Sequence, residues 1–423
     1  MKSSRREFIK KSVGSLGVAS LVTVQACSGE QEPTLHAHGL SNLSPMTGDI
    51  VPISHEEYES RIEKARKMMF ENKIDAICIE AGTSLYYYTG IRWGRSERMF
   101  ALIIPARGKI AYIVPKFEQA KAQELIEIED DIRTWEEHQN PYALVGQVLK
   151  DRGINRGRVG IEESVRFFLY DGMQKELPTA QFVTADPITV SCRMIKSPSE
   201  IALMQRANDI TVVAYKTGLD FLKEGMTQHE FSDNISDTFT RLGVRGGVFA
   251  QFGEYSAFPH GSRKLQKLKE GDILLMDGGC SVEGYRSDIS RTVVFGEANK
   301  RQREIWNIVR EAQDAALAAA KPGTTCEQVD AVARDIIATG GFGTDYEYFV
   351  HRLGHGIGLD GHERHYLVRG NKTKFAPGMC FSNEPGIYIY GEFGVRLEDC
   401  MYITEDGATL FSQQSPAIDK PFA

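Results

Sequence analysis

The sequence predicts an α+β chain in two domains: a smaller N-terminal α/β domain over 51–190 and a larger domain over 191–423. Three observations carry this. The first is length, since 423 residues at roughly 100–200 per domain leave room for two or three domains. The second is the alternation of strand-like and helical runs from about residue 76 to 161, the pattern of an α/β layer structure. The third is a fresh start at Ser197-Pro198-Ser199-Glu200. That capping box with Pro at the first helical position opens a long helix.

Taken in order, the first 27 residues read as an address. Ser4-Arg5-Arg6-Glu7-Phe8 resembles the twin-arginine export signal, and the apolar stretch 13–24 behind it is too short and too rich in Gly and Ser to span a bilayer. Val24-Gln25-Ala26-Cys27 resembles a lipoprotein cleavage box that would lipidate Cys27. The expectation is export, to the periplasm or to a membrane anchor at the cell envelope. Residues 28–50 are polar and rich in Ser, Gly and Pro, which suits a tether.

In the first domain, Ser54-x-x-Glu57 opens a helix expected to run to Asn72. Strands are expected at 76–79, 99–104, 110–114 and 158–161, with helices at 116–128 and 142–150. In the second, helices are expected from Ser197 to about Lys223 and over 228–242. Residues 243–253 are glycine-rich and read as a loop. A helix over 299–320 stops at Pro322-Gly323, and Thr325-x-x-Gln328 caps another that ends at Gly340-Gly341.

Composition narrows the class. The chain is 42% hydrophobic and 25% charged, ordinary for a globular protein. A net charge of -7 and a pI near 5.9 argue against a nucleic-acid partner. None of the seven cysteines forms a C-x-x-C pair, which argues against a structural zinc knuckle. The six beyond Cys27 are expected unpaired and buried.

The chemistry gathers around 271–292. Asp277 follows the apolar run Ile273-Leu274-Leu275-Met276, Glu283-Gly284 marks a reversal, and Asp288 leads into a second strand-like run. Two antiparallel strands can bring both carboxylates to one end of one face. Such carboxylates need a positive partner: an arginine, a helix N-terminus or a metal ion. The chain supplies further donors in His355, Glu384 and Glu398. Four carboxylates and one imidazole suit a pair of divalent first-row ions.

These segments, in this order, resemble the pita-bread metallopeptidases, a family of Xaa-Pro aminopeptidases, prolidases, methionine aminopeptidases and the metal-free creatinase. The resemblance runs from about Ser197 to the C-terminus, and the N-terminal half resembles the accessory domain of the proline-specific branch. It implies that Asp277, Asp288, His355, Glu384 and Glu398 hold two divalent ions, manganese first, with zinc, cobalt or iron as alternatives. It implies that a hydroxide bridging them attacks the Xaa-Pro bond, with Glu384 also carrying the proton. His362 would steady the oxyanion, His260 would meet the leaving side, His351 would line the proline pocket, and Arg396 would stand beside them. The implied substrate is a peptide with proline at its second position, and the implied assembly a homodimer. Whether the enzyme takes dipeptides or longer peptides stays open. Trp93 and Arg95 are implied at the substrate or in domain packing; Tyr285 and Arg291, by their place in the hairpin, are expected behind the ligands. The alternative is a creatinase-like hydrolase or lyase on the same fold, against which the intact ligand set counts.

Overall fold

The computed structural model describes residues 42–128 and 131–422. The export and lipidation motifs, Cys27 included, and the tether up to residue 41 lie outside the described residues.

The N-terminal domain begins with α1 (His55–Asn72), where Ser54 accepts the Glu57 N–H and Lys73 closes the helix in a left-handed conformation. The elements that follow are β1 (Ala76–Glu80), α2 (Thr83–Thr89), β2 (Ala101–Pro105), β3 (Ala111–Pro115), α3 (Gln119–Leu125) and β4 (Ile132–Trp135). Then come α4 (Pro141–Asp151), β5 (Arg158–Ile161), α5 (Phe167–Glu176), β6 (Gln181–Thr184) and α6 (Asp186–Met194). The strands form one mixed sheet in the order β4-β3-β2-β1-β5-β6. Its central strands are apolar at nearly every position because helices cover both faces. Ile77 and Ile79 pack into one core cluster, Ala76 and Cys78 into another.

The C-terminal domain opens with α7 (Pro198–Leu219), whose capping box closes reciprocally between Ser197 and Glu200, and α8 (Gln228–Arg241). These pack on a sheet of β7 (Gly246–Phe252), β8 (Ile273–Val282), β9 (Tyr285–Arg286) and β10 (Ile289–Val294), in the order β10-β8-β7 with β9 on β8. Next come α9 (Lys300–Ala319) and α10 (Cys326–Thr339), then β11 (Gly354–Gly356), β12 (Glu363–Leu367), β13 (Cys380–Asn383), β14 (Gly386–Ile389), β15 (Phe393–Arg396), β16 (Asp399–Ile403) and β17 (Ala408–Leu410). A second sheet runs β12-β11-β13-β16-β17, and β14 and β15 form a hairpin. Trp306 and Val309 of α9 and Val329 and Ala333 of α10 share a core with Phe381 and Met401 of that sheet. A bridge between Ser290 and Glu398 joins the two sheets.

One expectation is overturned here. Residues 246–252, within the stretch read as a glycine-rich loop, are strand β7, paired with β8 over seven positions. The glycines serve close approach rather than a turn. A Cβ on Gly246 would come within 2.6 Å of the Phe239 ring, and one on Gly278 within 2.4 Å of the Gly247 carbonyl oxygen. Gly278 also sits at φ 152. Gly278→Ala is therefore expected to destabilise the fold by about 2 kcal/mol or more. Denaturant unfolding monitored by fluorescence would measure it, and an unchanged midpoint would count against this reading of β7.

The domains meet across a polar seam. Glu57 accepts from both Arg61 and Ser197 at 2.7 Å. Arg61 donates to Tyr285 Oη at 3.1 Å, and Tyr285 donates to Glu200 at 2.9 Å. Tyr285 thus belongs to the seam and not behind the metal ligands. Trp93 and Arg95 are packing residues of the N-terminal domain. Trp93 stacks on Phe100 at 4.2 Å, and Arg95 donates to the Ala81 carbonyl and the Ser164 hydroxyl, each at 2.7 Å. The six cysteines among the described residues are all unpaired and buried. No described helix is long and apolar enough to cross a membrane.

Candidate active site

Asp277 sits in mid-β8, opposite Ser290 of β10, and Asp288 stands one residue before β10. The turn between the strands uses positive φ at Glu283 and Gly284, so the hairpin returns Asp288 towards Asp277. Glu398 stands between β15 and β16, and its N–H donates to the Ser290 carbonyl at 3.1 Å. Behind it, buried Arg291 donates to the Glu398 carbonyl at 2.8 Å and to Asp399 at 2.7 Å. His355 lies on β11 between two glycines; a Cβ on Gly354 would fall 2.1 Å from the Ser382 carbonyl oxygen. Pro385-Gly386 turns the chain directly after Glu384.

These donors converge in overlapping groups. Ligand atoms of Asp277, Asp288 and Glu398 lie within 4.8 Å of one another, as do those of His355, Glu384 and Glu398. Glu398 belongs to both, the position a bridging carboxylate would take between two ions. The protonation pattern suits cations as well. The His355 Nδ1–H donates to the Gly356 carbonyl at 3.1 Å, so Nε2 presents its lone pair 3.3 Å from Glu384 and 3.8 Å from Asp288. Burial, then neighbouring His362, lowers His355 to about 3. Burial and mutual repulsion push Asp288, Glu384 and Glu398 well above the usual carboxylate range, with Arg396 opposing. A set of acceptors crowded this way fits divalent cations, and oxygen donors with one imidazole fit hard or borderline ions.

A second layer fixes the histidines. Arg396 on β15 is 3% exposed. It donates to Asp277 at 2.7 Å, to Ser290 Oγ at 2.9 Å, to Tyr388 Oη at 2.9 Å and to the Pro259 carbonyl at 3.2 Å. Ser290 Oγ stands 2.9 Å from Asp277 and 2.8 Å from Glu398, and its single hydrogen serves one of them at a time. The His351 Nδ1–H donates to the Arg352 carbonyl, so its Nε2 accepts from Tyr388 Oη, both at 2.8 Å. Burial, then the Arg396 charge, holds His351 neutral, with its pKa lowered to about 3. His362 accepts from Arg352 through Nδ1 at 3.0 Å, which leaves the proton on Nε2, and its ring lies 3.8 Å from that of His355.

The five candidate ligands and His260, His351, His362 and Arg396 all line one cavity of about 370 Å³. Tyr346, Val350, Arg352 and Val368 complete its wall. Sequence reasoning passed over Tyr388, Ser290 and Arg352. A faint signal existed for Tyr388. The hairpin pairs Gly386 with Arg396 and Tyr388 with Gly394, so period-two alternation puts Tyr388 and Arg396 on one face.

Comparison with known proteins agrees with this geometry. Residues 202–405 match the model of metallopeptidase family M24, and residues 61–195 match the creatinase/prolidase N-terminal domain. The chain is 38% identical over 386 residues to an uncharacterized peptidase of Schizosaccharomyces pombe, covering 86% of this chain and 83% of that one. It is 35% identical to a Xaa-Pro dipeptidase of Lactobacillus helveticus, over 83% of this chain and 96% of the relative. The crystal structure of a dipeptidase from Mycobacterium ulcerans superposes with a TM-score of 0.81 at 31% identity, over 87% of this chain and 99% of that one. With a pita-bread domain behind a creatinase/prolidase N-terminal domain, the chain belongs to metallopeptidase family M24.

Proposed function

We propose that the protein hydrolyses Xaa-Pro dipeptides, using two divalent ions held by Asp277, Asp288, His355, Glu384 and Glu398. The observation that carries this is the pair of donor groups sharing Glu398 at the floor of a cavity walled by histidine and arginine. Such ions, when bound, supply the Lewis acidity that makes water nucleophilic near neutral pH.

The chain's own residues do the rest. Glu384, whose proton affinity is raised by burial and by Glu398, takes the water's proton and passes it to the departing nitrogen. A prolyl amide nitrogen carries no hydrogen of its own, so that delivery completes the leaving group. The His362 Nε2–H donates to the scissile carbonyl oxygen as charge develops there. Neutral His351, held by Tyr388, forms the pyrrolidine wall with Val350 and Val368. Arg396 offsets Asp277 and fixes Tyr388. The oxygen-rich donor set favours manganese, while zinc, cobalt or iron also fit.

Arg352 supports the dipeptide reading. Its guanidinium lines the cavity, donates to neutral His362, and pairs with no carboxylate among the described residues. A dipeptide brings a free carboxylate to this side of the scissile bond; a longer peptide does not. Relatives named Xaa-Pro dipeptidase support the same choice. Arg352→Ala is expected to raise KM for Ala-Pro about tenfold or more, with a smaller change in kcat. The deciding experiment compares Ala-Pro, Ala-Pro-amide and an Ala-Pro-Xaa tripeptide, with manganese and with chelator. Equal rates on all three would favour an aminopeptidase, and no chelator-sensitive cleavage would end the peptidase mechanism proposed here.

Three further parts of the proposal rest on sequence alone. Export by the twin-arginine route rests on residues 4–24, lipidation on Cys27, and a homodimer on the family resemblance.

A further inference from the structure

A second cavity, of about 430 Å³, adjoins the first at Asp288 and is lined by Arg245, Gly246, Gly278, Gly279 and Arg286 among others. Its floor is glycine backbone. Gly278 and Gly279, with Gly246 and Gly361, put no side chain into the space. Its walls are cationic. Arg245 is exposed and makes no hydrogen bond or ion pair among the described residues. The Arg286 guanidinium donates to the Leu359 carbonyl at 3.2 Å, and its charge also bears on Asp288. Neither guanidinium forms an ion pair with a carboxylate among the described residues, and the acid that lines the cavity with them is the candidate metal ligand Asp288.

We infer that this cavity receives the side chain of the Xaa residue and selects an acidic one. The inference rests on the Xaa-Pro reading. With proline against His351 and Val350 in the first cavity, the residue on the other side of the scissile carbonyl is left to the second, past Asp288. A glutamate there brings a carboxylate to two unmatched guanidinium groups, the partner geometry that arginine favours. The glycine floor admits the length of the chain.

The test is the kcat/KM ratio for Glu-Pro against Gln-Pro, two substrates of one shape that differ in charge. Each ratio is internal to one protein, so a general loss of activity in a variant cancels. The native enzyme is expected to favour Glu-Pro by about tenfold. The Arg245→Gln/Arg286→Gln variant is expected to bring the ratio near one, and Arg245→Glu to turn the preference towards Lys-Pro. A native ratio near one, with Ala-Pro still cleaved, overturns the acidic subsite alone, as does a preference that survives in the double variant. Native enzyme that cleaves no Xaa-Pro dipeptide overturns the underlying reading, and the subsite with it.

Discussion

Asp288→Ala is expected to cut Ala-Pro hydrolysis by at least about a thousandfold and to lower the bound divalent metal measured by elemental analysis. Asp288 belongs to two of the convergent donor groups, one with Asp277 and Glu398 and one with His355 and His362. Its loss therefore opens both. The fold should respond in the opposite direction. Burial and the charge of Asp277 raise the Asp288 pKa well above its ordinary value. A carboxylic acid with a raised folded pKa favours folding most below its unfolded pKa and loses that contribution as pH rises towards the folded value. At neutral pH, in chelator, Asp288→Asn should then be at least as heat-stable as the native chain. Unimpaired turnover by Asp288→Ala would sink the ligand assignment. A large loss of stability in Asp288→Asn would instead mean that the carboxylate is structural.

Glu363→Gln is expected to lower the unfolding free energy by about 3–5 kcal/mol. Glu363 is 7% exposed and faces two cations, buried Lys196 and the Arg193 of α6, which also pairs with Asp360 at 2.6 Å. Lys196 donates to it at 2.8 Å, and the Leu359 N–H at 3.1 Å. Removing the charge leaves buried Lys196 without its counterion and Arg193 with Asp360 alone, which costs more than the pair contributes when intact. Burial pushes the Glu363 pKa up, but Arg193 and Lys196 outweigh it and pull the value down to about 2. The sign follows. This contribution is full above the unfolded glutamate value of about 4.3 and is lost as pH falls from there towards about 2. Acid unfolding should therefore be shallower in Glu363→Gln than in the native chain over that window. A variant within about 1 kcal/mol of native, with an unchanged acid profile, would show that the cations are solvated. Glu363 directly follows His362, so the seam also bears on the catalytic wall.

The sequence by itself determined whatever rests on near neighbours. The helix starts at Ser197 and Thr325 were legible because a cap and its partner lie three residues apart, and both capping boxes close in the structure. Buried strands such as 76–79 were legible as apolar runs. Asp277, Asp288, His355, Glu384 and Glu398 were nameable because each sits in a short, chemically loaded neighbourhood, Asp277 after an apolar strand, His355 between glycines and Glu384 before Pro-Gly. Tertiary structure alone decided what depends on a distant partner. Strand β7 hides behind its glycines because only the nearness of Phe239 and β8 makes glycine necessary there. Tyr285 reads like a neighbour of the ligands and answers instead to Arg61, 224 residues away. Arg396 meets Asp277 across 119 residues, and Tyr388 reaches His351 across 37. Caps and apolar runs are local free-energy choices that the chain records within a turn or a strand, whereas a hydrogen bond closed over a hundred residues leaves no mark in the residues beside it.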